Sequence, residues 1–227
     1  MKNVYAVLVK SLTKIGTFTR IFTRYPYSHA SLSLDDDLEQ FYSFSRYYCN
    51  SPIISGFTSE YRTHLAAKQN KVTECKIFKI PVTDEEYKII KERIQKMIKD
   101  QELMYNYFSL LTMIFRRSVS VYKSYTCTSF VAETISLIDK IKLPKPASRF
   151  VPKDFEKLLN DKYAFFEGKL EPKKVFKKDR YYHKVPVAKR FSRSLYAISE
   201  SFHRLLFGKP RKHFNHNKIY VNPKEID

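Results

Sequence analysis

Three cysteines and six histidines supply the thiol and imidazole chemistry open to this chain near neutral pH. Cys127 has the most suggestive setting, inside Ser124-Tyr125-Thr126-Cys127-Thr128-Ser129-Phe130-Val131. A polar cluster there opens a run in which Val131, Thr134, Ile135, Ile138 and Ile141 recur at helical spacing. The pattern predicts a helix ending near Asp139, with Cys127 one turn before Val131 on its buried face. Ser124, Thr126 and Thr128 are all N-cap types, so the helix begins within a residue or two of the cysteine. A helix N-terminus presents free backbone N–H groups and roughly half a positive charge, and both favour a thiolate. A single cysteine beside an apolar face is also the common pattern of a buried structural residue. A nucleophilic reading therefore needs a base within reach.

Four of the histidines (His183, His203, His213, His216) lie in the C-terminal quarter, which leaves His29 and His64. His29 heads a stretch in which Ala30, Leu32 and Leu34 alternate with Ser31 and Ser33, the pattern of a half-buried strand. A strand fixes a side chain to the tolerance that proton transfer requires. His64 falls in residues 47–70, which lack clear periodicity, contain Pro52 and Gly56, and read as an irregular loop. A cysteine at a helix N-terminus and a histidine on a strand make a general nucleophile–base pair, and a third polar group should orient the imidazole. The neighbouring strand offers Gln40, Ser43 and Ser45, of which Ser43 is preferred because it shares a face with alternate positions of the hairpin.

The elements that must position these groups follow from pattern. Residues 2–10 read as a strand, and Ile15 to Tyr25 as a short amphipathic helix broken by Pro26. Asp35-Asp36-Asp37 forms the turn between the His29 strand and a partner over Gln40–Arg46. Cys75–Val82 is a further strand. Thr83-Asp84-Glu85-Glu86 opens a helix whose stripe is Tyr87, Ile90, Ile94, Met97 and Ile98. Tyr105–Phe115 reads as a second core helix. Pro152 opens a short helix reaching Leu159, and Tyr163–Leu170 reads as a last strand.

Length allows one good-sized domain plus an extension, and 17 Tyr with 18 Phe argue for a packed core. Three widely spaced cysteines form neither a disulfide framework nor a C-x-x-C zinc pair, which suits a reducing, cytoplasmic setting. Val4–Val9 is too short for a signal core, and no apolar run approaches the roughly 20 residues of a membrane span. Net charge is +19. Residues 172–227 hold 15 Lys/Arg against 4 Asp/Glu, so more than half of that excess sits in the last quarter. There, a basic run from Lys173 to Arg180 precedes a helical stripe of Val187, Phe191, Leu195, Ile198, Phe202, Leu205 and Leu206. A basic amphipathic helix suits an anionic membrane surface or a partner protein, and equally suits packing on the core.

The segment from His29 to Asp35, the Tyr42-Ser43-Phe44-Ser45 strand and Tyr125-Thr-Cys127-Thr-Ser-Phe-Val resemble the circularly permuted branch of the NlpC/p60 superfamily. That branch contains the YiiX/YebB-like cysteine hydrolases and the lecithin:retinol acyltransferase-like proteins. Members place the histidine strand before the cysteine helix. The resemblance covers roughly residues 1–171, a domain distinct from the basic extension 172–227. It implies an α+β, permuted papain-like fold with an antiparallel sheet packed against helices. It also implies a thiol hydrolase or acyltransferase acting on amide or ester bonds of a peptide or lipid-like substrate, with no cofactor and no metal. Cys127 would attack as thiolate, His29 would serve as base and then acid, and the Cys127 N–H would hold the oxyanion. Tyr125 and Tyr27 are further possible donors. The third group in such proteins is often a histidine, an amide or an acid, and Ser43 departs from that. A rival function is a non-catalytic basic module binding nucleic acid, phosphates on Lys/Arg and bases on aromatics, or an anionic membrane surface.

Overall fold

The computed structural model describes residues 2–65, 72–112, 117–171 and 180–219. Its strands are β1 (Lys2–Val9), β2 (His29–Ser33), β3 (Gln40–Tyr48), β4 (Ser51–Tyr61), β5 (Thr73–Val82), β6 (Met104–Tyr105), β7 (Ser124–Tyr125) and β8 (Ala164–Leu170). Six of them form one antiparallel sheet in the order β4-β3-β2-β1-β5-β8, and β6 pairs parallel with β7. The α-helices are α1 (Lys14–Thr23), α2 (Arg62–Leu65), α3 (Asp84–Lys99), α4 (Tyr107–Thr112), α5 (Cys127–Ile135), α6 (Pro152–Tyr163) and α7 (Val187–Phe207). The class is α+β, as the resemblance implies.

β1 is an interior strand. Its apolar run from Val4 to Val9 is fully covered, and Val9 lies opposite both His29 on β2 and Cys75 on β5. One face of the sheet carries the main core. Ala6, Leu8, Ala30, Leu32 and Phe44 meet Ile90 and Ile94 of α3, Phe130 and Val131 of α5, and Phe155 and Leu159 of α6. The opposite face carries a smaller cluster around Tyr5, Val7, Phe41 and Ile77.

Local signals explain the helix ends. Thr83 Oγ1 accepts from the Glu86 N–H at 3.1 Å while the Glu86 carboxylate accepts from the Thr83 N–H at 2.7 Å, a reciprocal cap. Thr126 and Ser129 cap α5 in the same way, which settles which hydroxyl precedes the cysteine. α5 ends at Ile135, four residues before the expected Asp139. The chain continues in turns, with the Ile138 N–H bonded to the Ile135 carbonyl, so Ile138 and Ile141 still reach the core.

Two sequence expectations are corrected. Residues 47–70 are not a loop: β3 runs on to Tyr48, β4 spans Ser51–Tyr61 and α2 follows, with residues 66–71 outside the described residues. β4 is an edge strand, where Pro52 costs no interior ladder bond, and a Cβ on Gly56 would come 2.1 Å from the Tyr47 hydroxyl. The expected Tyr105–Phe115 helix begins as strand β6 and is helical only from Tyr107 to Thr112, with residues 113–116 outside the described residues.

α7 has the bounds its stripe predicts. The basic run at 173–179 lies outside the described residues. Ala197, Val185 and Ile219 join Tyr47, Tyr48, Ile54 and Met104 in a third apolar cluster. Among the described residues no helix is long and apolar enough to cross a membrane.

Candidate active site

His29 is the first residue of β2 and Cys127 the first of α5. α5 packs across β2 and β3, which brings the helix N-terminus to the end of the strand. The imidazole and the Ala30 N–H lie close enough to the Cys127 thiol to act on its charge. Ala30 is itself held from behind, because Ser43 Oγ donates to its carbonyl at 2.7 Å.

The group that orients His29 is Glu60. Its Oε2 lies 2.9 Å from His29 Nε2, and Ser31 Oγ donates to the same oxygen at 3.0 Å while lying 3.1 Å from Nε2. Ser45 also helps to hold the carboxylate charged. Nε2 is thus engaged by Glu60 and Ser31. Ser43, expected in this third position, is fully buried and satisfied by the Ala30 carbonyl. Glu60 takes that place because one carboxylate oxygen of β4 reaches both the His29 ring and the Ser31 hydroxyl on β2.

Sequence reasoning missed Glu60 by reading its strand as loop. One signal was present: Glu60 is the only acidic residue between Glu39 and Glu74, set among serines, threonines and aromatics. The carboxylate is buried, and a buried charge persists only when paired and hydrogen-bonded.

The electrostatics follow from these contacts. Burial alone would lower the His29 pKa, but attraction to Glu60 and the bonds to Cys127 and Glu60 outweigh it and raise the value to about 10. Burial would raise Glu60, and His29 overrides that and holds it low. Burial would likewise raise Cys127; the His29 contacts and the Ala30 N–H reverse the sign and lower it. Cys75 is the internal contrast. It is buried in the sheet, and burial pushes it up to about 12.

Tyr105 is the second group that sequence reasoning missed. β6 pairs with β7 so that Tyr105 lies beside Tyr125, one residue before the N-cap of α5. Its hydroxyl lies close enough to Cys127 to feel the sulfur, and burial and the sulfur raise its pKa, so it remains a neutral donor. The tyrosines expected as donors serve elsewhere. Tyr27 donates to Glu167 at 2.7 Å, and the Tyr125 ring packs on Phe44 at 5.1 Å. His64 sits in α2, stacked on Tyr181 at 4.5 Å.

Cys127, His29, Glu60 and Tyr105 line one cleft of about 1490 Å³. Its walls carry aromatic and aliphatic side chains from α1, α4 and α7, with Arg24, Arg117, Arg149, Lys153 and Lys157 among the cations. Among the described residues no group of three or more His, Cys, Asp and Glu is arranged to hold a metal ion. Such a site can hold a thiolate–imidazolium pair, present hydrogen-bond donors beside it and admit a carbonyl compound of some size. Compared with known proteins, the chain matches no family model, no curated protein and no solved structure.

Proposed function

We propose that this chain is a cysteine-dependent hydrolase or acyltransferase acting on amide or ester bonds, built on a circularly permuted papain-like fold. The observation that carries the reading is the His29 ring held between the Cys127 thiol and the buried Glu60 carboxylate. An acidic third group also agrees with what the NlpC/p60 resemblance implies at that position, where Ser43 did not.

In the proposed reaction Cys127 Sγ attacks the carbonyl carbon and the C=O pair moves onto oxygen. Cys127 is the first helical residue, so its N–H has no intrahelical acceptor and can donate to the oxyanion, as can the Tyr105 hydroxyl. The tetrahedral adduct collapses with cleavage of the C–N or C–O bond, and His29 gives its proton to the departing amine or alcohol. The thioester is then attacked by water or another acceptor, whose proton returns to neutral His29, and the thiolate leaves. Glu60 holds the ring in the tautomer and orientation that both transfers need.

The test is iodoacetamide labelling of Cys127 against pH, located by mass spectrometry because Cys49 and Cys75 are also free. The parent should label rapidly at about pH 6 to 7, and His29→Ala should move the onset to about 8.5 or above. Equal profiles in both chains, or an inert Cys127, would sink the reading.

A further inference from the structure

The stripe of α7 faces outward. The helix rests on the body through Ala197, Glu200, Ser201 and Arg204, while Phe191 is 71% and Leu206 73% exposed, with Val187 and Leu195 also out. This is the reverse of an ordinary surface helix, which buries its apolar side. α1 repeats the arrangement, with Leu12 just before it, Ile15 and Phe22 exposed and Ile21 67% exposed. Leu111 of α4 is 63% exposed.

These surfaces meet around one opening. Ile15, Phe18 and Phe22 of α1, Phe108 and Leu111 of α4, and Ile198 and Phe202 of α7 all line the cleft that holds Cys127. Phe108 and Phe202 touch edge to face at 4.9 Å, joining α4 to α7. Cations complete the rim: Lys14, Arg24 and Arg117 are exposed on it, as are Arg149, Lys153 and Lys157 on the α6 side. Asp154, the acidic group among these, is tied to Lys145 at 2.7 Å.

We infer that this rim is a docking face for an anionic lipid bilayer, and that docking turns the mouth of the Cys127 cleft toward the membrane. Contiguous exposed apolar surface calls for a partner. A second copy of a +19 chain would set like charges against this rim. A nucleic acid would satisfy the cations and leave Phe191, Leu195 and Leu206 in water. An anionic bilayer supplies hydrocarbon for the stripe and phosphates for the cations at the same depth. The docking face does not depend on the thiol chemistry, and labelling of Cys127 without lipid tests that separately.

The experiment is co-sedimentation with vesicles of phosphatidylcholine mixed with phosphatidylglycerol, against phosphatidylcholine alone. The parent should pellet with the mixed vesicles and more weakly with phosphatidylcholine. Phe191→Ser/Leu195→Ser/Leu206→Ser should reduce the bound fraction roughly tenfold or more, with an unchanged thermal melt because all three side chains are exposed. Ile98→Ser, an exposed apolar residue on α3, should bind like the parent. Pelleting of the triple variant equal to the parent's overturns the inference. So does a parent that stays in the supernatant with both vesicles. A concentration-dependent dimer in sedimentation velocity that the triple variant abolishes, without vesicle binding by the parent, assigns the face to a second copy instead.

Discussion

At the scale of the residue, Glu60 decides the chemistry of its neighbours. His29 is largely covered, and burial disfavours the imidazolium; contact with the Glu60 carboxylate, helped by Cys127, reverses that preference. Cys127 is lowered and His29 raised to about 10, so the thiolate–imidazolium pair exists from the lowered thiol value up to about pH 10. The proposed activity therefore rises as pH climbs through the thiol pKa and falls as His29 loses its proton. Glu60→Gln keeps the shape and removes the charge, leaving the Cys127 contacts alone to oppose burial. The His29 titration midpoint, followed by the ring C–H resonances, should drop by about a unit or more, and the alkaline limb of activity should drop with it. Ser43→Ala is the contrast. It leaves the Ala30 carbonyl short of one buried donor, at about 1–3 kcal/mol in stability, and should not move the His29 midpoint. A midpoint that ignores Glu60→Gln and responds to Ser43→Ala would restore Ser43 to the orienting role.

At the scale of the element, α5, α3 and α7 were legible because each carries a periodic stripe, and the first two carry cap residues at their starts. β2 was legible from its alternation. β4 was not, and with it went Glu60. Residues 51–61 alternate poorly, since Pro52, tolerated at the sheet edge, and Gly56, set by the partner strand, interrupt the pattern. Gly56 is there because Tyr47 of β3 crosses it, a contact no single-strand pattern can reveal. Tyr105 escaped for a similar reason: its neighbour in β7 is 20 residues away in the chain. The close approach makes a testable claim. Gly56→Ala should destabilise by about 1–3 kcal/mol in urea unfolding, as overpacking does. Tyr47→Phe in the same chain removes the 2.1 Å contact and leaves the next at 2.9 Å, so it should recover part of the loss. A purely additive double variant would show that Tyr47 is not what excludes a side chain at position 56.

At the scale of the whole molecule, the question is what holds α7 with its apolar stripe facing out. The hydrophobic effect alone would roll the helix inward. What opposes this is a buried ion pair on the helix's inner side: Arg204 Nε lies 2.8 Å from Glu200 Oε1, with neither side chain exposed. Arg204 also donates to the Glu102 carbonyl and lies over the Phe214 ring at 4.5 Å, while the Arg211 N–H donates to Glu200 at 3.3 Å. Rolling the stripe inward would strip these partners from two charges or carry the pair out of its pocket. Desolvation makes such a pair a weak source of net stability and a strong source of orientation, because breaking it leaves an uncompensated buried charge. Arg204→Ala should therefore cost about 3–5 kcal/mol in chemical denaturation, whereas Glu200→Leu/Arg204→Met should recover most of that loss. The double variant should keep its stability and lose the orienting constraint, so the apolar side of α7 becomes free to turn toward the body. Exposure of α7 to limited proteolysis, compared in the parent and the double variant, reads that freedom directly. If Arg204→Ala costs less than about 1 kcal/mol, the helix is not fixed by this pair, and the outward stripe must be held by the small apolar contacts of Ala197 and Ile219 instead.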